Sequence, residues 1–156
     1  MMDGYANWLK AIKPKLADES DYPYVAQVDP CRTDYKELYQ GVRMQDYYFT
    51  EEGNEEMLKK LVVEHGAVLT FIGWDSAIFK RVLAYRSGIW TKHSEFKYIH
   101  AVVVVGYGTE NGIDYWLLKN SWGKNWGMDG FFKIQRGVKM LSIGKYLVTL
   151  TCGYEC

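Results

Sequence analysis

Apolar residues that recur at intervals of three and four positions indicate amphipathic helices in two segments. In Gly53–Glu64 they line one side of a helix, while glutamate and lysine occupy the other side. These apolar residues are Met57, Leu58, Leu61 and Val62. Asp75 can cap a second, short helix, which Gly88 would close. Its apolar residues are Ala77, Ile78, Phe79, Val82 and Leu83. A further helix is predicted over residues 5–13, ending near Pro14.

Short apolar or alternating runs between glycine and asparagine turns predict a series of strands. The first is Val68–Ile72. The others are residues 101–107, 114–119, 130–135 and 145–151. Asn111-Gly112, between two of these strands, is typical of a tight hairpin turn. Several short strands at this spacing predict an antiparallel, barrel-like sheet, and the pattern that leads to it begins at about Tyr47.

Composition narrows the classes of protein and of partner. The chain has 156 residues, of which 48% are hydrophobic, so it can build the core of one domain and is not a disordered protein. Nineteen basic and nineteen acidic residues cancel, and we therefore expect neither nucleic acid nor a membrane surface as a partner. Even the apolar run Ala101–Val105 has only the length of a strand, which predicts no membrane span.

The three cysteines leave the redox setting open. They are Cys31, Cys152 and Cys156, and an odd number leaves at least one without a partner in the chain. A local bridge between Cys152 and Cys156 and a set of three reduced thiols are both compatible with this count. No signal-like segment precedes the first amphipathic pattern, so either the chain is cytosolic or its true beginning lies upstream.

One histidine and one asparagine stand where they can form a catalytic pair. His100 lies at the mouth of an apolar strand, and Asn120 lies at the end of the next strand, directly before Ser121-Trp122-Gly123. An imidazole and an amide in this arrangement suit the activation of a thiol. A lone histidine beside a strand is more often structural, and an asparagine at this place is also typical of a turn. His65 and His93 have no comparable context.

Seven segments along the chain carry a resemblance to a known family. They are Tyr22-Pro23-Tyr24 before Cys31, Gly66-Ala67-Val68, Ser87-Gly88-Ile89-Trp90, His100-Ala101-Val102, Asn120-Ser121-Trp122-Gly123, Trp126-Gly127 and Arg136-Gly137-Val138-Lys139-Met140. In this order they resemble the motifs of the papain-like cysteine peptidases, specifically the C-terminal two thirds of a mature cathepsin L-like domain. The resemblance implies an α+β, papain-like fold. Residues 1–46 would be the remainder of a helical left domain, and residues 47–156 an antiparallel β-barrel right domain.

The resemblance also implies roles for individual residues. His100 would pair with a cysteine thiolate and protonate the departing amine, Asn120 would orient the imidazole, and Trp122 would shield the bond between them from water. The main specificity pocket would be lined by Met2, Phe71, Tyr98, Ala101 and Tyr146. Such an apolar and aromatic lining favours apolar or aromatic substrate side chains of modest size. Neither a metal nor a cofactor is implied.

The chain departs from the family at the nucleophile, since no run in it resembles the CGSCW motif. Cys31 instead stands where the family has a structural disulfide. Two hypotheses follow. The chain is most of a cysteine endopeptidase whose nucleophile lies on an upstream segment, or it is a catalytically inactive papain-like module that serves as a structural or binding component of a larger assembly. In both cases the chain alone is predicted to be inactive.

A partner and a compartment are also implied by the resemblance. The family's N-terminal segment carries a long central helix that packs its apolar face against the opening helix and the barrel. Without that helix, the surfaces it covers would be exposed. We therefore expect a partner chain, or that segment, to pack on Tyr5, Trp8, His100 and Trp122. Peptides or proteins would be the substrates if a nucleophile is supplied. A lysosomal or secreted setting is implied by the family alone.

Overall fold

The computed structural model describes residues 16–17, 19–32, 34, 37–39, 42–50, 53–94 and 97–152. The chain forms two compact units, one of Asp46–Thr149 and the other of Met1–Gln45 with Leu150–Cys156. The helix predicted over residues 5–13 lies outside the described residues. No helix in the described part of the chain is both long and apolar enough to cross a membrane.

Helix α1, Glu55–His65, begins and ends at residues suited to those positions. The side-chain oxygen of Asn54 accepts a hydrogen bond from the backbone N–H of Met57 at 2.9 Å, which satisfies one of the free donors of the first turn. At the other end Gly66 has a φ of 78°, and its N–H donates to the carbonyl oxygen of Val62. The helix buries three of its four predicted apolar residues, Leu58, Leu61 and Val62, and packs Met57 against the core. The prediction for this segment is therefore confirmed.

Helix α2, Ser76–Leu83, confirms the predicted cap and corrects the predicted end. The Asp75 carboxylate accepts hydrogen bonds from the backbone N–H groups of Ile78 and Ala77, both at 2.8 Å. These bonds, the one from Ile78 first, hold the pKa of Asp75 below its usual value. Because the pKa is lowered by folding, this stabilisation is present at neutral pH and is lost as the pH falls through the lowered pKa.

The prediction that Gly88 closes this helix is wrong, since the helix ends at Leu83. The reason is the side chain of Tyr85, which is only 7% exposed. Its ring contacts Trp126, with centroids 5.6 Å apart, and its hydroxyl donates to the carbonyl oxygen of Gly88 at 2.6 Å. Because this ring is buried in the core, the backbone leaves the helical conformation after Leu83, five residues before Gly88.

The strands form two sheets in the described residues. Strands β1 (Leu16–Ala17) and β2 (Glu37–Tyr39) pair with each other. The larger sheet contains β3 (Val42–Phe49), β4 (Val68–Trp74), β5 (Ile89–Trp90), β6 (Tyr98–Glu110), β7 (Ile113–Lys119), β8 (Phe131–Gln135) and β9 (Tyr146–Cys152). Its order is β3-β9-β4-β6-β7-β8-β5, and β5 and β8 run parallel whereas β4, β6, β7 and β8 pair antiparallel in sequence. A short 3-10 helix, Met140–Ser142, lies between β8 and β9.

The strand predictions are confirmed for β4, β6, β7, β8 and β9, with β6 longer at both ends than expected. Strands β1, β2, β3 and β5 were not predicted. The hairpin turn at Asn111-Gly112 is confirmed, since both residues have positive φ, 52° and 77°, as a tight two-residue turn between β6 and β7 requires.

The register between strands decides which side chains enter the core. In β4 and β6, Thr70 lies opposite Val102 and Ile72 lies opposite His100. Because alternate residues of a strand share a face, His100 points to the same side as Val102 and Val104, both of which are buried. The same face of β7 buries Trp116 and Leu118.

Glu55 ties the first turn of α1 to two distant segments. Its carboxylate accepts a hydrogen bond at 2.7 Å from the indole N–H of Trp116, a side chain with no exposed surface. It also accepts from the backbone N–H groups of Gly137 (2.7 Å) and Lys139. One side chain thus accepts from three donors, of which the Trp116 indole N–H is buried and would otherwise be left unpaired.

We predict that Glu55→Ala lowers the free energy of unfolding by about 3 kcal/mol, because it leaves the Trp116 indole N–H buried and unpaired. Urea denaturation is the measurement. Glu56→Ala is the matched control, since Glu56 is the exposed neighbour in the same helical turn and should change stability by less than about 0.5 kcal/mol. Equal effects of the two substitutions would contradict the role of Glu55.

Candidate active site

The structure brings His100 and Asn120 into direct contact. Nε2 of His100 lies 2.8 Å from Oδ1 of Asn120. His100 is in β6 and partly buried, whereas Asn120 directly follows β7 and is 8% exposed. The backbone N–H of Asn120 donates to the carbonyl oxygen of Gly130 at 2.9 Å, which fixes the chain where it leaves the strand. The pair is therefore held by the sheet on one side and by a turn on the other.

The hydrogen bonds around Asn120 assign the protonation of the imidazole. Oδ1 of Asn120 also accepts from the backbone N–H of Ser121 at 2.8 Å. A backbone N–H can only donate, so this atom of the amide is the oxygen, and an amide oxygen can only accept. Nε2 of His100 must then carry the hydrogen in this bond. In the neutral ring Nδ1 is left with its lone pair, ready to accept a proton from another group.

Two indole rings flank the imidazole of His100. The centroid of the Trp122 ring lies 5.1 Å away and that of the Trp74 ring 5.2 Å away, with tilts of 38° and 40°. Trp126 packs edge-on against Trp122 at 4.9 Å and donates its indole N–H to the carbonyl oxygen of Val82 at 3.1 Å. These rings limit the access of water to the bond between His100 and Asn120, which strengthens that bond.

Trp74 and Trp126 were not among the predicted site residues. Trp74 lies at the end of β4, opposite Tyr98 and two positions from Ile72, on the face that also carries His100. The alternation of side chains in the predicted strand Val68–Ile72, extended by two residues, would have placed it there. The sequence identified Trp126 only as part of the Trp126-Gly127 motif. Its contact with Trp122 is visible only in the three-dimensional structure.

A pocket of about 500 Å³ opens beside the imidazole. Most of its lining is apolar or aromatic: Trp74, Phe79, Tyr98, Ile99 and Trp122. Its polar lining comes from His100 and Ser76. Pockets of this size and character are typical of sites for small ligands or substrate side chains.

The residues predicted to line the main specificity pocket are divided between two places. Phe71 lies opposite Ala101 in the pairing of β4 with β6, and its ring meets that of Tyr146 edge-on at 5.6 Å. These three lie on the face of the sheet opposite to His100, because they occupy the alternate positions of their strands. Tyr98 instead lines the pocket beside His100. Met2 lies outside the described residues.

The described residues contain no group of three or more histidine, cysteine, aspartate or glutamate side chains that could hold a metal ion. Cys31 is exposed and forms no disulfide within the part of the chain that the structure describes.

Comparison with known proteins identifies the family. The sequence profile of the papain family cysteine proteases matches residues 1–151. The chain belongs to this family. It is 37% identical over 132 residues to a viral cathepsin of Adoxophyes honmai nucleopolyhedrovirus, a match that covers 85% of this chain and 37% of the relative. It is also 37% identical over 138 residues to a cathepsin L-like proteinase of Fasciola hepatica, covering 87% of this chain and 40% of that relative.

Solved papain-family structures show the same fold. A digestive procathepsin L2 proteinase from Tenebrio molitor superimposes with a TM-score of 0.74 at 31% identity, over 96% of this chain and 46% of that one. A chain from a structural study of the limited antibody cross-reactivity between the mite allergens Blo t 1 and Der p 1 superimposes with a TM-score of 0.75 at 26% identity, over 94% of this chain and 46% of that one. The expected α+β, papain-like fold is therefore confirmed. The chain spans about two fifths of the length of the two curated relatives described above.

We predict that the Nε2-bound proton of His100 is protected from exchange with water by its bond to Asn120 and by the indole of Trp122. NMR correlation of this proton with its nitrogen should give a sharp signal, which Trp122→Ala should broaden or remove. Trp90→Ala is the control, because this indole lies in β5 and makes its own hydrogen bond to the carbonyl oxygen of Lys92. A signal that survives Trp122→Ala unchanged would refute the shielding role.

Proposed function

We propose that this chain supplies the imidazole and the orienting amide of a papain-family cysteine endopeptidase, which hydrolyses peptide bonds. The observation that carries the proposal is the 2.8 Å hydrogen bond from Nε2 of His100 to Oδ1 of Asn120. Since this bond occupies Nε2, Nδ1 is the nitrogen that can exchange a proton with a thiol and with a substrate. Membership of the papain family supports the same assignment.

Each step of the proposed reaction uses Nδ1 of His100. A cysteine thiol gives its proton to Nδ1, and the resulting thiolate attacks the carbonyl carbon of the scissile peptide bond. As the carbon–nitrogen bond breaks, Nδ1 returns the proton to the departing amine, which leaves a thiolester. Water then gives a proton to Nδ1 and attacks the thiolester; the carboxylic acid departs, and Nδ1 returns the proton to the thiolate sulfur, which restores the thiol. Asn120 holds the ring in position throughout.

The thiol in this reaction comes from a segment outside the present sequence. None of Cys31, Cys152 and Cys156 stands in a run that resembles the CGSCW motif. The peptidase is therefore an assembly of this chain with a thiol-bearing segment, on the same polypeptide or on another one. This chain by itself is expected to cleave no peptides. In this proposal residues 1–46 belong to the left domain and residues 47–156 to the right domain.

Exposed apolar side chains beside His100 support a covering segment. Tyr98 is 58% exposed and Ile99 is 59% exposed, and both line the pocket that contains His100 and Trp122. Adjacent large apolar residues at the mouth of a pocket are typical of surfaces that another segment or a substrate covers. We propose that the thiol-bearing segment, or a partner chain, packs on this surface. Tyr5 and Trp8, predicted to be part of it, lie outside the described residues.

A chimera tests this function directly. The thiol-bearing N-terminal segment of the Fasciola hepatica cathepsin L-like proteinase is fused before this chain, and hydrolysis of a fluorogenic peptide is measured. We predict hydrolysis by the chimera and none by the chain alone. His100→Ala should lower kcat by at least about 100-fold, since it removes the group that moves the proton. His93→Ala is the matched control, because His93 is exposed and has no contact with the pair, and it should leave the rate unchanged.

Circular dichroism of the chimera shows whether it has folded, so that a misfolded product is not mistaken for an inactive one. A folded chimera that neither hydrolyses peptides nor shows accelerated alkylation of its thiol would overturn the proposal. That result would favour the other hypothesis, a catalytically inactive papain-like module that serves as a structural or binding component of a larger assembly.

A further inference from the structure

A second pocket, of about 260 Å³, is formed entirely by residues within 19–29. These residues belong to the unit that does not contain His100. The pocket walls carry two carboxylates, of Glu19 and Asp29, and two phenol rings, of Tyr22 and Tyr24. The other described residues that line the pocket are uncharged, so no basic side chain of this lining neutralises the carboxylates. Acidic and aromatic walls without a cation among them suit a cationic guest.

Negative charge is concentrated in this part of the chain. The whole sequence is neutral, with nineteen basic and nineteen acidic residues, but residues 16–34 contain five acidic residues and a single basic one, Arg32. The acidic residues are Asp18, Glu19, Asp21, Asp29 and Asp34. Arg32 is engaged within the segment, because its Nε donates to Oδ1 of Asp34 at 3.0 Å. The segment therefore has a surplus of negative charge that an external cation can balance.

Hydrogen bonds hold the walls of this pocket in place. The backbone N–H of Tyr24 donates to Oε1 of Glu19 at 2.9 Å. The hydroxyl of Tyr22 accepts from the backbone N–H of Arg32 at 3.2 Å, and the Arg32 guanidinium lies 5.5 Å from the centre of the Tyr22 ring. Because these contacts are made before a guest arrives, binding orders fewer groups and costs less entropy.

Each of the two carboxylates has an oxygen to offer to a guest. Tyr24 occupies Oε1 of Glu19, and the side-chain amide of Gln27 donates to Oδ2 of Asp29 at 2.9 Å. Among the described residues no hydrogen bond is made to Oε2 of Glu19 or to Oδ1 of Asp29. These two oxygens can therefore accept from donors of the guest.

We propose that this pocket binds an arginine side chain on an exposed segment of a partner protein. A guanidinium is planar and permanently charged, so it can stack on the ring of Tyr24 and donate to the carboxylates of Glu19 and Asp29. Tyr24 is 84% exposed, which leaves its ring open to the guest. Val25 is 53% exposed and can cover the methylene stem of the arginine. This inference does not depend on the proposed peptidase activity.

Binding can be measured on the whole chain by NMR titration. The probes are Ac-Val-Arg-Val-NH₂ and the same peptide with citrulline in place of arginine, which has nearly the same shape and no charge. We expect the arginine peptide to bind at least about fivefold more tightly, since exposed ion pairs and cation–ring contacts are individually weak but act together here. The backbone signals that shift should belong to residues 19–29.

A lysine peptide separates the guanidinium from a general preference for positive charge. Ac-Val-Lys-Val-NH₂ should bind more weakly than the arginine peptide and more tightly than the citrulline peptide. An ammonium group is attracted by the carboxylates, but it is a point charge and has no plane to stack on Tyr24.

Loss of the two charges should abolish the preference for arginine. The double variant Glu19→Gln/Asp29→Asn keeps side-chain oxygens that can accept from Tyr24 and Gln27, and it should reduce the preference over citrulline to less than about twofold. The matched control is Glu56→Gln/Asp129→Asn, which removes the same two charges from exposed positions in the other unit. This control should keep the full preference.

Substitution of Tyr24 tests the ring contact. Tyr24→Leu should weaken binding of the arginine peptide by about threefold, because the side chain stays apolar but loses its ring. Tyr24→Phe is the matched control and should bind the peptide as tightly as the unmodified chain. Because Tyr24 is 84% exposed, neither substitution should disturb the fold, and the NMR spectrum of each variant verifies this.

The outcomes also distinguish this inference from the proposed function. Equal affinities for the arginine and citrulline peptides, a preference that survives the loss of both carboxylates, or shifts confined to residues outside 19–29 would each overturn the inference. None of these results bears on peptide hydrolysis, because the titrations involve no thiol. A folded chimera that hydrolyses no peptide would overturn the proposed function and leave arginine binding at this pocket unchanged.

Discussion

The site depends on the register between β6 and β7. Val103 lies opposite Lys119, so that Asn120, the next residue, leaves the strand beside the position of Val102. His100 is two residues further along β6 and therefore on the same face. A slip of one residue would turn the imidazole to the opposite face of the sheet and break its 2.8 Å bond to Asn120. Further along, a bulge between Val104 and Gly106 shifts the register at a distance from the pair, so the segment near His100 stays regular.

The same face that forms the core also carries the candidate chemistry. From Val104 and Val102 the row of side chains passes to His100 as the burial decreases toward the end of the strand. At this end of the strand the rings of Trp74 and Trp122 contact the imidazole on two sides. The protein thus places a polar pair at the margin of an apolar layer, where indoles limit the access of water but one nitrogen of the ring remains available. Such a position suits proton transfer better than full burial or full exposure would.

The sequence was sufficient where a local signal determines the structure. The spacing of apolar residues identified α1, and Asn111-Gly112 identified the hairpin between β6 and β7. The motifs around His100 and Asn120 identified a pair that the structure brings together, although their catalytic role stays a prediction. The residues predicted for the specificity pocket were brought together only in part, because their assignment used positions in a motif and not the face of the sheet.

What the sequence missed depends on contacts between distant segments. The early end of α2 follows from the burial of Tyr85 against Trp126, a residue 41 positions away in the chain. Strand β5 has only two residues and is defined by its parallel pairing with β8. Such a pairing between distant segments leaves no local signal in the sequence. Glu55 looks like one of several acidic residues in a helix, and its three hydrogen bonds to Trp116, Gly137 and Lys139 appear only in the folded chain.

The central claim is that Nδ1 of His100 faces a reactive thiol in the complete site. The most direct measurement is a crystal structure of this chain together with a thiol-bearing segment. A cysteine sulfur within about 4 Å of Nδ1, with Nε2 still bound to Oδ1 of Asn120, is the predicted result. A folded complex in which Nδ1 faces another side chain or only solvent, with no cysteine sulfur within reach, would contradict the claim.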